Sequence, residues 1–106
     1  MAILNVVASE LELCAVNDGF LYRQIHRPYQ LNLIRKHKRG EFNLDLCAKG
    51  YRYFVDEAAK KYHRDFCGSD DSGVKWHQVF PKDVRAAVCM SLALQAKQSL
   101  DLGEWG

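Results

Sequence analysis

Asn43-Leu44-Asp45-Leu46-Cys47-Ala48-Lys49-Gly50-Tyr51-Arg52-Tyr53-Phe54-Val55-Asp56-Glu57-Ala58-Ala59-Lys60-Lys61-Tyr62-His63-Arg64-Asp65-Phe66 is the stretch that decides the fold. Leu44, Cys47, Tyr51, Phe54, Val55, Ala58 and Tyr62 recur at three- and four-residue steps, and Phe66 continues the stripe. That spacing predicts an amphipathic helix. Asn43 suits its N-cap. Asp56–Lys60 and Glu57–Lys61 place an acid four residues before a base, which supports a helix. Gly50 interrupts the pattern. Either the helix tolerates it at a cost of about 1 kcal/mol, or the segment divides into two helices there.

On the C-terminal side, Gly68-Ser69-Asp70-Asp71-Ser72-Gly73 reads as a loop. Val74–Phe80 fits a short strand or a helical turn, and Pro81 suits the opening of a helix. From Val84 to Leu100 apolar residues cover nearly the full circumference, so this segment is expected to be the central core helix. Gly103 ends it, and Trp105 is placed to pin the tail onto the surface. On the N-terminal side, Leu4, Val7, Leu11 and Cys14 share one helical face, widened by Ile3, Val6 and Leu13. The β-branched opening makes a strand over residues 2–8 the competing reading. The helix formers that follow favour a helix to Val16. Asn17-Asp18-Gly19 is a stop. Phe20–Arg27 is expected to be a turn or two of helix ending before Pro28, because a proline disfavours helical geometry in the residue before it. Pro28 then opens a helix to about Lys38, with Gly40 just beyond. The expectation is all-α: a compact single domain over residues 1–106, built from four to five helices, with Val84–Leu100 central and Asn43–Phe66 against it.

The 106 residues are 48% hydrophobic and 26% charged, a globular composition of single-domain size. The net charge of +2 conceals segregation. Residues 1–22 carry three acids and no Lys or Arg; residues 23–64 carry eleven Lys/Arg against four acids; residues 65–106 carry four against six. A basic middle between acidic ends points to a polyanionic or acidic partner, or to self-complementarity. The opening residues lack the charge pattern of a signal peptide, and no apolar run approaches membrane-spanning length. The expected location is cytoplasmic. Cys14, Cys47, Cys67 and Cys89 are dispersed, without a CxxC pair, and are expected to be reduced and buried.

Tyr22–Arg39 contains Arg23, Arg27, Arg35, Lys36, Lys38 and Arg39 and no acid. Cations neutralise phosphates and release counterions. Tyr22 and Tyr29 among them would stack on unpaired bases. Lys60, Lys61 and Arg64 would extend the surface. Arg35 to Arg39 also answer the negative end of a helix dipole, so Arg23 and Arg27 carry the sharper functional signal. The competing reading is a solvated face with its tyrosines in the core. Specific base readout lacks a signature, since no recognition-helix, RRM, KH or zinc-finger pattern occurs. His63 and Cys67, at i and i+4, would ligate one metal, with His77 and Cys47 completing the set, but paired close spacings of the usual kind are missing. Asp70 and Asp71 lack the EF-hand ladder around them. His63-Arg64-Asp65 matches the kinase catalytic loop in letters only. No Gly-x-Ser-x-Gly or Walker A motif is present, so no enzyme, cofactor or small-molecule substrate is expected. Phe20, Tyr22, Tyr29, Trp76 and Trp105 would instead serve a protein-binding surface.

In general character the chain resembles the small phage-encoded anti-defence inhibitors, the anti-CRISPR proteins in particular. The likeness rests on a helical chain with a charge-segregated surface, centred on Arg23–Arg39 and Lys60–Arg64, and no catalytic signature. It implies a stoichiometric blocker acting in the bacterial cytoplasm. The expected partner is single-stranded nucleic acid, DNA before RNA, or a host nucleoprotein effector. Many of those inhibitors are acidic DNA mimics, and the basic middle departs from that pattern. A protein–protein inhibitor that binds an acidic effector surface is the alternative.

Overall fold

A computed structural model describes residues 2–64 and 75–105, with side chains described from Ala8 onward except that of His77. Along the chain come α1 (Ala2–Asn17), α2 (Gly19–Leu21), a π-helical turn (Tyr22–His26), α3 (Arg27–Lys38), α4 (Leu44–Gly50), α5 (Arg52–Tyr62), α6 (Trp76–Val79) and α7 (Lys82–Asp101). The protein is all-α, and the described residues contain no strand. As they pack, they form four helical rods and one short helix: α1, residues 19–38, the jointed pair α4–α5, and α7, with α6 beside α5. The strand readings of residues 2–8 and 74–80 are thus set aside, although Val74 and the loop over 68–73 lie outside the described residues.

The deciding stretch divides at Gly50. Asn43 caps α4, its Oδ1 accepting the N–H of Leu46 at 3.0 Å. The stripe then buries Cys47, Tyr51, Phe54, Val55, Ala58 and Ala59. The reason for glycine at position 50 lies in another helix. A Cβ there would overlap the phenol of Tyr29. That phenol donates a hydrogen bond at 2.9 Å to the Cys47 carbonyl, which also accepts the Tyr51 N–H at 3.1 Å. Tyr51 turns inward at the joint, 1% exposed, with its ring 4.9 Å from that of Tyr29 and at right angles to it.

Pro28 does not break the preceding helix. Arg27 keeps helical geometry (φ −63°, ψ −45°), and its N–H reaches the carbonyl of Tyr22, five residues back. A proline inside an α-helix removes one N–H and presses its ring on the carbonyl four residues earlier. Widening one turn to π geometry relieves both. Residues 19–38 therefore form one continuous rod rather than a short arm followed by a new helix. The buried positions record the extra residue, since Leu21, His26, Gln30 and Leu33 step by five, then four, then three.

α7 is the hub, packed on α1, α3, α4 and α5. It buries Val84, Val88, Cys89, Leu92, Ala93, Ala96 and Leu100. Apolar residues continue around it, but its far side is solvent-facing, with Leu94 50% exposed. Gly40 and Gly103 adopt positive φ (70° and 74°) and end α3 and α7, as expected of residues in the left-handed region. Trp105 packs back onto the core. In α1, Leu11 and Ala15 are buried, whereas Leu13 is 61% exposed and does not widen the buried face.

An alanine in place of a glycine near a helix end ordinarily gains up to about 1 kcal/mol. Gly50→Ala is expected instead to lose about 1–3 kcal/mol by overpacking against Tyr29, read from urea unfolding. In a double-mutant cycle the loss should shrink on a Tyr29→Ala background. An equal loss there would place its cause elsewhere.

Candidate functional site

The rod of residues 19–38 presents its cations outward. Arg23, Arg27, Arg35 and Lys38 are all exposed. They follow four- and three-residue steps, with Leu31 between, down the exposed flank of the rod. At 1.5 Å per residue the stripe runs about 22 Å. Arg27 donates to Gln30 Oε1 at 3.3 Å. None of the four has a carboxylate partner among the described residues. The other two cations of the run depart from it. Lys36 is half-buried on the flank towards α4, where its charge acts on Cys47. Arg39 pairs with Glu41 at 3.4 Å in solvent, a contact of little energetic weight.

The two tyrosines have different surroundings. Tyr22 is 39% exposed, and its ring meets His26 edge-on at 5.7 Å. Tyr29 is half-buried, wedged over Gly50 and bonded to Cys47, so its ring is occupied by packing. Tyr53, 64% exposed on the outer face of α5, is the freer aromatic surface.

His26 sits within the π turn, 8% exposed. It stacks on Phe54 at 4.8 Å and meets Tyr51 at 5.7 Å. Its Nε2 lies 3.4 Å from Gln30 Nε2 and 3.5 Å from Tyr51 Oη, and Nδ1 has no hydrogen-bond partner. Burial pushes its pKa below the ordinary imidazole value.

Lys60, Lys61 and Arg64 do not simply extend the stripe. Lys61 pairs with Asp18, the residue that caps α2, and lies 5.8 Å from the Phe20 ring centroid. The Asp18 carboxyl is accordingly held low, first by the Lys61 hydrogen bond and then by the Leu21 N–H. Lys60 turns the other way, bonding Glu57 at 3.2 Å and covering Trp76 at 5.4 Å. Arg64 is exposed but engaged. The basic positions therefore divide between an open stripe and a set of intramolecular contacts.

A second cationic region draws on distant parts of the sequence. Arg85 donates to Asp56 Oδ1 at 2.8 Å and to the Phe80 carbonyl at 3.0 Å, with its guanidinium 4.8 Å from the Trp76 ring. Arg52 joins the same carboxylate at 3.9 Å. With Lys49 and Lys82 these arginines border a groove between α4–α5 and α7. Sequence reading missed it because its cations stand in two pairs, Lys49 with Arg52 and Lys82 with Arg85, set thirty or more residues apart with no run to flag them.

Among the described residues no three His, Cys, Asp or Glu side chains converge as a metal site requires. Cys67, the proposed partner of His63, lies outside the described residues, as do Asp70, Asp71 and the side chain of His77. Cys47 serves the core, and burial pushes its thiol up to about 11. Cys14, Cys47 and Cys89 are unpaired thiols; Cys14 is only half-buried. No described helix is long and apolar enough to cross a membrane. No protein-family model matches the chain, and no curated protein or solved structure is detectably similar to it.

A histidine with a depressed pKa in the fold stabilises it fully above the unfolded value, and that stability is lost as pH falls through the folded one. The urea midpoint of the protein is expected to drop between about pH 7.5 and pH 5, and that of His26→Gln to drop by less. Equal drops would remove His26 as the cause.

Proposed function

We propose that the protein is a non-enzymatic binder of single-stranded nucleic acid, gripping the sugar–phosphate backbone through Arg23, Arg27, Arg35 and Lys38. The observation that carries this reading is the alignment of those four cations on the open flank of one rod, with no carboxylate of the described fold to neutralise them. Cations so placed gain by releasing the counterions of a polyanion, a term that is independent of base sequence. Tyr22, at the N-terminal end of the stripe, supplies one ring edge for an unpaired base, and Tyr53 adds a second exposed ring. Tyr29 contributes by positioning the rod. DNA is the favoured strand. The resemblance to phage anti-defence inhibitors sets this activity in the bacterial cytoplasm, where a stoichiometric binder would block a CRISPR-type complex by occupying the strand it handles.

The test is a fluorescence-anisotropy titration with labelled single-stranded DNA, single-stranded RNA and duplex DNA, at about 50 and 200 mM salt. Four phosphate contacts to a single strand give a slope of log K against log salt of about −3, and Arg23→Ala/Arg27→Ala should reduce it by about 1.4. Absence of salt-sensitive binding to every strand would sink the reading and leave the stripe to an acidic protein surface.

A further inference from the structure

The groove between α4–α5 and the first half of α7 encloses about 390 Å³. That lies within the range of pockets that hold small molecules. Its floor is apolar: Ala48, Ala86, Cys89 and Met90. Cys89 is 6% exposed, and burial pushes its thiol up to about 11, so it lines the floor as a neutral group rather than a nucleophile. Around this floor stand four cations, Lys49, Arg52, Lys82 and Arg85, against two acids, Asp45 and Asp56. Asp56 is already answered twice, by Arg85 at 2.8 Å and by Arg52 at 3.9 Å. Asp45 stands in the first turn of α4, where the helix dipole favours an acid. Lys49 and Lys82 are exposed, with no carboxylate partner among the described residues. The positive charge left at the rim is therefore theirs. Arg85 commits N–H groups to Asp56 and the Phe80 carbonyl, and its guanidinium packs over Trp76, so it borders the groove already engaged.

We propose that this groove binds a small amphipathic anion, with an apolar body on the Ala48–Ala86–Met90 floor and a carboxylate, sulfonate or phosphate between Lys49 and Lys82. Both halves of the ligand follow from the lining. A fully hydrated inorganic anion would gain nothing from the floor, and an apolar cation would meet the lysines. The site uses no residue of the rod stripe, so it stands or falls independently of the nucleic-acid reading.

The experiment titrates the full chain with anilinonaphthalene sulfonate, an aromatic sulfonate that fluoresces when its rings leave water. The bound probe is then displaced with decanoate, decanol, decyltrimethylammonium or an acidic amphipathic peptide. One probe per chain is expected, displaced by decanoate at a concentration at least about tenfold lower than decanol, and not by the cation. Lys49→Glu/Lys82→Glu should weaken probe binding at least about tenfold with the urea midpoint little changed, since both lysines are exposed. Ala86→Trp, filling the floor from an exposed position, should do the same, and if it fails to fold the lysine pair decides. Arg23→Ala/Arg27→Ala should leave probe binding unchanged. Equal displacement by decanol and decanoate, undiminished binding in the lysine pair, or displacement by the peptide but not decanoate would each overturn the proposal.

Discussion

The phenol of Tyr29 resting on Gly50 is the contact on which the rest of the molecule depends. It needs an absent side chain on one helix and a hydroxyl on another. With no Cβ at position 50 the hydroxyl end of the ring enters the α4–α5 joint, and the hydroxyl finds the Cys47 carbonyl. The joint turns Tyr51 inward beneath it, where that ring meets Tyr29, His26 and Phe54. Burial raises the pKa of both tyrosines above the ordinary value, so they stay neutral donors throughout the usable pH range. Rod and joint are thus fixed against each other in azimuth as well as in distance. That in turn decides which flank of the rod faces water.

Much of this was legible in the sequence where periodicity carried it. The Tyr51–Phe54–Val55–Ala58 stripe, the Asn43 cap and the stops at Gly40 and Gly103 are local signals, and local physics obeys them. Gly50 was legible only as a choice between two outcomes, because the group that decides it is twenty-one residues away. Pro28 misled for a related reason. The rule for residues before proline describes an isolated chain, and here burial of His26, Gln30 and Leu33 outweighs the preference and widens a turn instead of ending the helix. The polar identity of His26 and Gln30 also concealed that they belong to the buried face.

Legibility of the candidate sites divides in the same way. Arg23 and Arg27 stood out as cations not required by a helix end, and they do lie on the open flank. Tyr29 carries the same chemistry as Tyr22, and only packing shows that one ring is occupied and the other half free. Lys60 and Lys61, adjacent in sequence, project to different neighbours because successive helical residues are about 100° apart, and each finds partners of its own. The groove was beyond reach of a linear reading, since α4–α5 and α7 each bring an unremarkable pair of cations and only their packing makes a rim.

The π turn has one more consequence, for how the chain tolerates changes in length. Elsewhere in a packed helix, removing one residue rotates everything beyond it by about 100° and turns a buried face to solvent. Within residues 22–26 the spare residue is already present. Removing it would bring Leu21 and His26 back to a four-residue step, the spacing an unbroken α-helix uses, and both flanks would keep their facing. The obstacle would then be Pro28 alone, whose ring would again press on the preceding turn. This single turn therefore acts as a slack link, from which the rod can give up one residue and keep its alignment to the core, provided that Pro28 is replaced as well.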